Sequence, residues 1–442
     1  MANLNVINWA QIARENYHYA WSIVAIGTFM RVISNFVSQA FGLVLIYLIL
    51  EFPGESLTSL VLIQVFRSLV SAALSPTAGW LGDKYGAKRS LLLASAMFVI
   101  GMLLMSQASH VWQLYLYYSF VLGVAQAIFS VNIPTTVAAW FKTRLGIAVG
   151  VQQSLGGMGG AIAAPALALI FTKLEWEGGF LLVGLVGGAL IFALLPFFHG
   201  EPANRGMKPF GATGDDPTPT INNQFTKIRT QVFLQAVRRT PSFWNLIGIH
   251  HLGCLGHSIV MWHIVYFATD TQGISPAAGS WIIFCYVTTS MFSRFATPIL
   301  AEKFGSKGVM AVFYTIQGLT VLLLFWAQEP WQFYLFATLF GVGFGGEMSA
   351  FLVINRQYYG MGPVRSVFGF QHLGSGTGMA LGGLIGGALY DVFGTYDISW
   401  IVSIGASLTG TICILFLQST AQVLIPDWEE SLPAEARTAP VT

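Results

Sequence analysis

The dominant pattern in this chain is a succession of long apolar segments separated by short polar ones. A membrane-crossing helix needs about 20 mostly apolar residues. Windows of that kind fall near 20–49, 57–80, 90–107, 111–139, 145–171 and 179–198, and again near 241–268, 277–301, 308–327, 331–355, 364–390 and 397–418. The pattern predicts an all-α membrane protein with twelve transmembrane helices.

A polar stretch containing proline and glycine divides these segments into two sets of six. We therefore expect an N-terminal half (1–198), a linker (199–240), a C-terminal half (241–418) and a polar tail (419–442). The chain is polar and amphipathic through Tyr19, without the short apolar core of a cleavable signal peptide, so the first apolar segment should be retained as a helix.

The composition agrees with a membrane location. Apolar residues make up 55% of the chain and charged residues only 9%, whereas ordinary soluble domains have about 25% charged residues. Nothing in the charge distribution indicates a nucleic-acid partner. Cys254, Cys285 and Cys413 all lie in apolar segments without disulfide or metal-ligand spacing, so we expect no metal and no cofactor.

Basic residues are distributed unevenly between the two sides of this topology. Of the 21 lysines and arginines, sixteen would lie on the side of the linker, Arg14 among them, and Lys173 alone would lie in the opposite loops. Cytoplasmic loops of membrane proteins carry an excess of Lys and Arg. We therefore expect a protein of the cell membrane with both termini in the cytoplasm.

The two halves share a weak sequence repeat. The segments Gly150–Gln153 (GVQQ) and Gly369–His372 (GFQH) are separated by 219 residues, and the same offset places Asp83–Gly86 (DKYG) on Glu302–Gly305 (EKFG). One offset that relates two distant motifs predicts two pseudo-symmetric six-helix halves, an architecture typical of secondary transporters.

Four charged residues stand inside the predicted membrane helices: Arg31, Arg67, Arg294 and Glu347. A charge at bilayer depth costs about 2.5–3.5 kcal/mol on insertion scales and is therefore usually functional. Three guanidinium groups against one acid favour an anionic substrate, since the planar guanidinium matches a carboxylate. Arg31, with Asn35 one turn later, and Arg294 are the candidate ligands. Arg67 is expected to face Glu347 or to act in gating, and a purely structural pairing is the alternative for each arginine.

Titratable and neutral polar groups complete the candidate site. His250 is equivalent to Arg31 at the offset of 219 and shares a helical face with His257. His250 could donate to an anion or carry a proton, and His257 and Glu347 are assigned to proton coupling or gating. The alternative for the histidines is a packing or hydrogen-bonding role, and for Glu347 it is a static salt bridge to an arginine. The neutral candidates for hydrogen bonding to a substrate are Tyr118, Gln152, Tyr286 and Gln371.

Two segments carry a resemblance to a known family. The loop GWLGDKYGAKR at 79–89 resembles the signature between the second and third helices of the major facilitator superfamily. The segment WFKTRLGIAVG at 140–150, followed by Gly157, Gly160 and Pro165, is similar to the fourth loop and fifth helix of the monocarboxylate transporter and oxalate/formate antiporter group. The resemblance implies a two-half transporter that works by alternating access.

The same resemblance assigns roles to individual residues. Asp83, at the end of the second helix, would cap or pair with a neighbouring helix, and Lys84 and Arg89 would share its gating role. The chain also departs from the group. Its eleventh helix lacks the lysine of the oxalate-type antiporters, and Arg31 stands in the first helix where animal monocarboxylate transporters carry lysine.

The resulting hypothesis is secondary transport of a small mono- or dicarboxylate, coupled to protons. An anion antiporter, a multidrug efflux carrier and a membrane sensor with a transporter fold are the alternatives. An enzyme is not expected, because the chain contains no catalytic triad order, phosphate-binding loop or zinc motif.

Overall fold

The computed structural model describes residues 17–214, 216 and 223–437. The predictions for the amino-terminal segment that concern residues 1–16, including Arg14, lie outside these ranges. In the described ranges the chain is almost entirely helical, and an isolated β-bridge joins Phe141 to Phe210.

Six long helices form the N-terminal half. The hydrogen-bonded helix Leu145–Leu182 is divided at Glu175, where φ is 59° and ψ is 177°. With that division the helices are α1 (Ala20–Glu51), α2 (Leu57–Tyr85), α3 (Ala87–Met105), α4 (Val111–Ala139), α5 (145–174) and α6 (176–197). A π-helical turn, Tyr115–Val121, interrupts the α-helical geometry of α4.

Six further helices form the C-terminal half, after a separate linker helix, Asn223–Arg238. They are α7 (Pro241–Thr271), α8 (Pro276–Phe304), α9 (Ser306–Phe325), α10 (Pro330–Tyr359), α11 (Arg365–Phe393) and α12 (Asp397–Leu415). The predicted order of six helices, linker and six helices is therefore present in the described chain.

Within the described residues, nine helices are both long and apolar enough to cross a membrane by length and composition. Two further long helices, α8 and α11, pack across the boundary between the halves, α8 on α5 and α11 on α2. Part of their surface faces protein rather than lipid, so it does not need a lipid-like composition.

The offset of 219 residues recurs in the structure at helix ends. Ser56 caps α2 and its equivalent Ser275 caps α8, each side chain accepting a backbone N–H three residues later. Gly86 and its equivalent Gly305 end those helices with φ of 84° and 88°, a conformation that glycine adopts without steric cost. The pseudo-symmetric six-helix halves expected from the sequence are confirmed in these local details.

Glycine allows the two halves to approach closely. A Cβ at Gly369 in α11 would lie 2.4 Å from the backbone oxygen of Ser75 in α2. A Cβ at the equivalent Gly150 in α5 would lie 2.4 Å from the backbone oxygen of Phe295 in α8. The repeated glycine therefore has a packing role in each half, as small residues do between membrane helices.

Candidate functional site

Arg31 lies midway along α1 and points toward α5. Its Nη1 donates a hydrogen bond of 2.9 Å to Oε1 of Gln153. The side chain of Asn35 donates to the backbone oxygen of Arg31 at 2.9 Å, so this amide is occupied within its own helix. The Arg31 side chain is partly exposed.

Arg294 is placed in the other half, midway along α8. Its guanidinium carbon lies 4.8 Å from the ring centroid of Phe344, and its Nη2 approaches the sulfur of Met348 at 3.8 Å. Both contacts are weak compared with a hydrogen bond to a carboxylate. A Cβ at Gly156 in α5 would lie 3.4 Å from the Arg31 side chain, and a Cβ at Gly157 would lie 3.8 Å from Met291, one turn before Arg294 in α8. The structure thus brings these two predicted ligands together across the boundary between the halves.

The arginines of the membrane region lack carboxylate partners. Among the described residues, no Asp or Glu oxygen lies within 4.0 Å of a nitrogen of Arg31, Arg67 or Arg294. Buried charges in proteins are normally paired. The region between α1 and α8 therefore has an excess of positive charge, which a bound anion would compensate.

Glu347 lies at the end of the first helical piece of α10 and is fully buried. Its Oε1 accepts a hydrogen bond of 2.8 Å from the hydroxyl of Tyr314 in α9. Its Oε2 lies 3.4 Å from Nδ1 of His257 and has no hydrogen bond of good geometry in the described chain. Arg294 interacts with this carboxylate only at longer range. One carboxylate oxygen is therefore held by Tyr314, whereas the other has no hydrogen bond of good geometry in the described chain.

His250 is stacked on Phe351 with ring centroids 3.8 Å apart and an interplanar angle of 15°. Neither ring nitrogen makes a hydrogen bond of standard geometry within the described residues, although the backbone of Gln371 is nearby. Donor atoms of His250, Cys254 and Glu347 lie within 4.8 Å of one another, a spacing that could place them around one metal ion. The sequence spacing alone gave no sign of this, because Glu347 comes from a distant helix.

Arg67 belongs to a separate polar cluster within the N-terminal half. Its Nη2 donates to Oε1 of Gln126 at 3.2 Å, and its guanidinium lies 5.2 Å from the ring of Tyr118. The Tyr118 hydroxyl in turn donates to Gln64 at 2.9 Å. The structure places Arg67 and Tyr118 together, but it shows no contact of Arg67 with Glu347.

The other neutral candidates differ in whether their polar groups already have a hydrogen-bond partner within the protein. Gln371 forms a reciprocal amide pair with Asn355, with both hydrogen bonds at 2.8 Å, and both residues are buried. Gln152 is buried and has no hydrogen-bond partner of standard geometry among the described residues. Tyr286 is buried with its ring at 81° to that of Phe344. The Gln371 amide is therefore paired within the protein, the Gln152 amide is not, and Tyr286 contacts the same Phe344 ring as Arg294.

Asp83 joins the halves on the side of the molecule that carries the linker, hereafter the linker side. Its Oδ2 accepts hydrogen bonds from the backbone N–H of Ser366 at 2.8 Å and from the Ser366 hydroxyl at 2.6 Å. Nη1 of Arg365 lies 3.7 Å from Oδ1 of Asp83 and 3.3 Å from Glu201. A carboxylate at the first turn of α11 is favoured by the helix dipole. We call this arrangement the Asp83 contact.

An equivalent arrangement, the Glu302 contact, joins α8 to α5. The two carboxylate oxygens of Glu302 accept from the backbone N–H groups of Leu145 at 3.1 Å and Gly146 at 2.7 Å. Nearby, Arg356 donates to the backbone oxygens of Ala138 and Phe141 at 2.5 and 2.9 Å. Each half thus places one carboxylate on a helix N-terminus of the other half.

The remaining predicted loop residues lie outside these contacts. The ammonium of Lys84 lies 4.5 Å from the ring centroid of Trp80, and Arg89 is exposed. Sequence reasoning missed Gln153, Tyr314 and Asn355 as partners of site residues. For Glu302 the signal was present, because the offset of 219 from Asp83 points to it.

Charged and polar groups midway along apolar helices, in two pseudo-symmetric six-helix halves, define a membrane transporter. The family model of the Major Facilitator Superfamily matches residues 24–271 and 252–439. The chain belongs to the major facilitator superfamily, which confirms the resemblance seen in its loops. Members of this family are transporters, so the expectation that the protein is not an enzyme is also confirmed.

The curated relatives agree with the resemblance to the monocarboxylate transporter and oxalate/formate antiporter group. The chain is 24% identical over 341 residues to human monocarboxylate transporter 2, covering 74% of this chain and 70% of that one. It is 24% identical over 350 residues to the oxalate:formate antiporter of Oxalobacter formigenes, covering 77% and 78%. It is 21% identical over 438 residues to rat monocarboxylate transporter 13, covering 94% and 96%.

A solved structure shows the same fold at low sequence identity. A bacterial homologue of the iron transporter ferroportin, in an outward-facing state with soaked iron, superposes with a TM-score of 0.65 at 14% identity. The match covers 89% of this chain and 98% of that one. The predicted all-α, two-half transporter fold is therefore confirmed.

Proposed function

We propose that this protein moves a small organic carboxylate across the cell membrane by alternating access, with Arg31 and Arg294 as the substrate ligands. The observation that carries the proposal is the pair of arginines, one from each half, that lie beside the same segment of α5 and lack carboxylate partners in the described chain. A carboxylate between them would accept charge-assisted hydrogen bonds from both. The names of the relatives, carriers of monocarboxylates and of oxalate and formate, support the same substrate class.

The proposed mechanism uses the contacts on the linker side, which we assign to the cytoplasm from the distribution of lysine and arginine. The Asp83 and Glu302 contacts hold the halves together there, so this conformation is closed toward the linker. An anion bridging Arg31 and Arg294 would offset their positive charges and allow the halves to close around it. We propose that the two halves, joined by the linker 199–240, rock as units during this change.

Uptake into proteoliposomes tests the substrate site. Purified protein would be assayed with a panel of labelled mono- and dicarboxylates, and KM compared for wild type, Arg31→Gln and Arg294→Gln. Loss of a charge-assisted hydrogen bond costs about 1.5–3 kcal/mol, so each substitution should raise KM by about 10- to 150-fold. Lys173→Gln, an exposed position at the far end of α5 from the linker side, is the matched control and should leave KM unchanged.

Other outcomes would favour the alternatives. No uptake of any carboxylate, together with Arg294→Ala transporting a hydrophobic cation normally, would reject the anion carrier in favour of a multidrug efflux carrier. Carboxylate binding without uptake or counterflow would favour a sensor.

We further propose that Glu347 couples transport to protons. The support is its burial, with one oxygen bound to Tyr314 and the other next to His257 without a good hydrogen bond. Glu347→Gln keeps an acceptor for Tyr314 but cannot release a proton. The variant should lose accumulation driven by a pH gradient while retaining exchange of substrate for substrate. Unchanged gradient-driven accumulation in Glu347→Gln would remove Glu347 from the mechanism and favour antiport.

A further inference from the structure

A basic groove lies on the linker side, between the end of α2 and the linker helix. It has a volume of about 330 Å³ and is lined by Trp80, Lys84, Lys227, Gln231 and Arg238, together with apolar and polar residues of the linker helix. No acidic residue contributes to its lining. The groove is distinct from the arginine pair, which lies midway along the membrane helices.

The three cations of the groove are available to a ligand. In the described part of the chain none of Lys84, Lys227 and Arg238 has a carboxylate oxygen within 4.0 Å. The Lys84 ammonium rests on the faces of Trp80 and Tyr85, at 4.5 and 4.7 Å from the ring centroids. These contacts orient the ammonium without neutralising its charge, so the groove has a local positive potential.

The linker helix presents two different faces. Phe233 and Val237 are fully buried against the rest of the protein, whereas Lys227, Gln231 and Arg238 are exposed toward the groove. The amphipathic helix is therefore fixed by its apolar side, with its cationic side free. Interfacial helices of this kind carry Lys and Arg on the polar face and are attracted to anionic lipid.

The groove also has the position of a lipid head group. Trp80 is 44% exposed near the end of a membrane-crossing helix, and exposed tryptophans in membrane proteins concentrate at the membrane–water interface. A ligand here would have an acyl-chain path along the apolar surface of α2 and a phosphate among the three cations. A soluble anion would use only the three cations and not the apolar surface of α2.

We propose that this groove binds the phosphate head group of an anionic phospholipid. Basic pockets beside membrane helices are known in general to take such head groups. Arg238 extends the site into the other half, because its guanidinium lies 4.8 Å from the ring of Phe370 in α11. A lipid phosphate held by Lys84 and Arg238 therefore bridges the two halves on the side where they are in contact.

This bridging has a conformational consequence. A ligand stabilises the state to which it binds more tightly. Since Lys84 lies in the last turn of α2 and Arg238 packs on α11, separation of these helices would divide the site. The bound lipid should therefore favour the conformation closed on the linker side. This conformational part rests on the proposed alternating access, whereas lipid binding itself does not.

Native mass spectrometry of the full-length protein tests binding. Phosphatidylglycerol and phosphatidylcholine would be titrated separately against wild type and the triple variant Lys84→Gln/Lys227→Gln/Arg238→Gln. Each basic residue near an anionic surface contributes about fivefold in affinity, so the triple variant should bind phosphatidylglycerol about 100-fold more weakly. Arg239→Gln, at the exposed residue that follows the linker helix and outside the groove lining, is the matched control and should bind like wild type.

Two results would overturn the lipid assignment. Equal binding of phosphatidylcholine and phosphatidylglycerol by wild type would show that charge does not select the ligand, as would unchanged phosphatidylglycerol binding by the triple variant. Inorganic phosphate that displaces the lipid at equal concentration would identify the site as one for a soluble anion instead.

Distances between spin labels test the conformational part separately. Leu93 in α3 and Val312 in α9 are equivalent at the offset of 219 and are exposed by 47% and 56%. In nanodiscs, phosphatidylglycerol should shift the label distances toward the linker-closed population relative to phosphatidylcholine, and the triple variant should lose this shift. An unchanged distribution would reject the bridging role while leaving the binding result to stand on its own.

Discussion

Replacing Asp83 by Asn should open the linker side of this transporter. The substitution keeps the size of the side chain but removes its charge. In the structure Oδ2 of Asp83 accepts two hydrogen bonds from Ser366, at 2.8 and 2.6 Å. It also lies at the N-terminus of α11, close to Arg365. All of these interactions favour the charged carboxylate over a neutral amide.

The size of the effect follows from those contacts. Hydrogen bonds to a charged group are worth about 1.5–3 kcal/mol and neutral ones about 0.5–1.5 kcal/mol. Two weakened bonds therefore cost about 2–3 kcal/mol in the closed state. The carboxylate loses these partners when the halves separate, so the cost falls on one conformation. The closed-to-open ratio should fall by about 30- to 150-fold.

Label distances between Leu93 and Val312 would measure this ratio. Asp83→Asn should move the distribution toward the state open on the linker side. Glu201→Gln is the control, since Glu201 contacts the same Arg365 at 3.3 Å but its side chain is 55% exposed. An exposed ion pair contributes at most about 1 kcal/mol, so its shift should be much smaller. Equal shifts in the two variants, or none in Asp83→Asn, would refute the argument that the buried carboxylate holds the halves together.

Three further predictions concern packing, buried polarity and pH. Gly369→Ala should lower the melting temperature, because overpacking of a close contact costs about 1–3 kcal/mol. Gly248→Ala is the control and should leave the melting temperature unchanged, because a Cβ there meets nothing within 4 Å. Asn355→Ala should destabilise by about 1–3 kcal/mol, since it leaves the buried amide of Gln371 unpaired; a double-mutant cycle in thermal unfolding checks the coupling, and additive effects would contradict it. Burial, and after it two nearby cations, lowers the pKa of His199 below 6.5, so the unfolded chain binds the proton more readily. The free energy of unfolding should therefore be highest above pH 6.5, where His199 is neutral in both states, and should fall as the pH drops toward the pKa of His199 in the folded protein. His199→Gln should flatten this part of the stability–pH curve. An unchanged curve would contradict the lowered pKa.

The fold could be predicted from the sequence because its determinants are local or periodic. Each membrane helix is specified by about 20 consecutive apolar residues, and the repeat is visible as a single offset. Helix ends were also encoded locally, as with Ser56 and its equivalent Ser275, whose side chains cap α2 and α8. The break between α5 and α6 was predicted by the windows 145–171 and 179–198. The positive φ of Glu175 at that break was not, since a positive φ at a non-glycine residue has no simple sequence signal.

The candidate site could be predicted only in part. Arg31 and Arg294 were identifiable because an ionised group in an apolar helix stands out from its neighbours. Their partners were not, because Gln153 and Met348 come from other helices and are ordinary residue types for their segments. The partner of Gln371 was likewise not predictable: its depth in the eleventh helix made it a candidate ligand, and in the structure its amide is paired with Asn355 from α10.

The two linker-side contacts are equivalent in sequence but unequal in environment, and this asymmetry bears on the mechanism. Asp83 is buried, whereas its equivalent Glu302 is exposed. Solvent screens Glu302 and competes for its hydrogen bonds, so the Glu302 contact should stabilise the closed state less than the Asp83 contact. The stronger restraint therefore joins α2 to α11, beside the proposed lipid groove, and the weaker one joins α5 to α8. When the halves separate on the linker side, separation should begin between α5 and α8. Arg294 lies on α8. An anion that reaches Arg294 would then act on the less restrained boundary, where a given binding energy has the larger conformational effect.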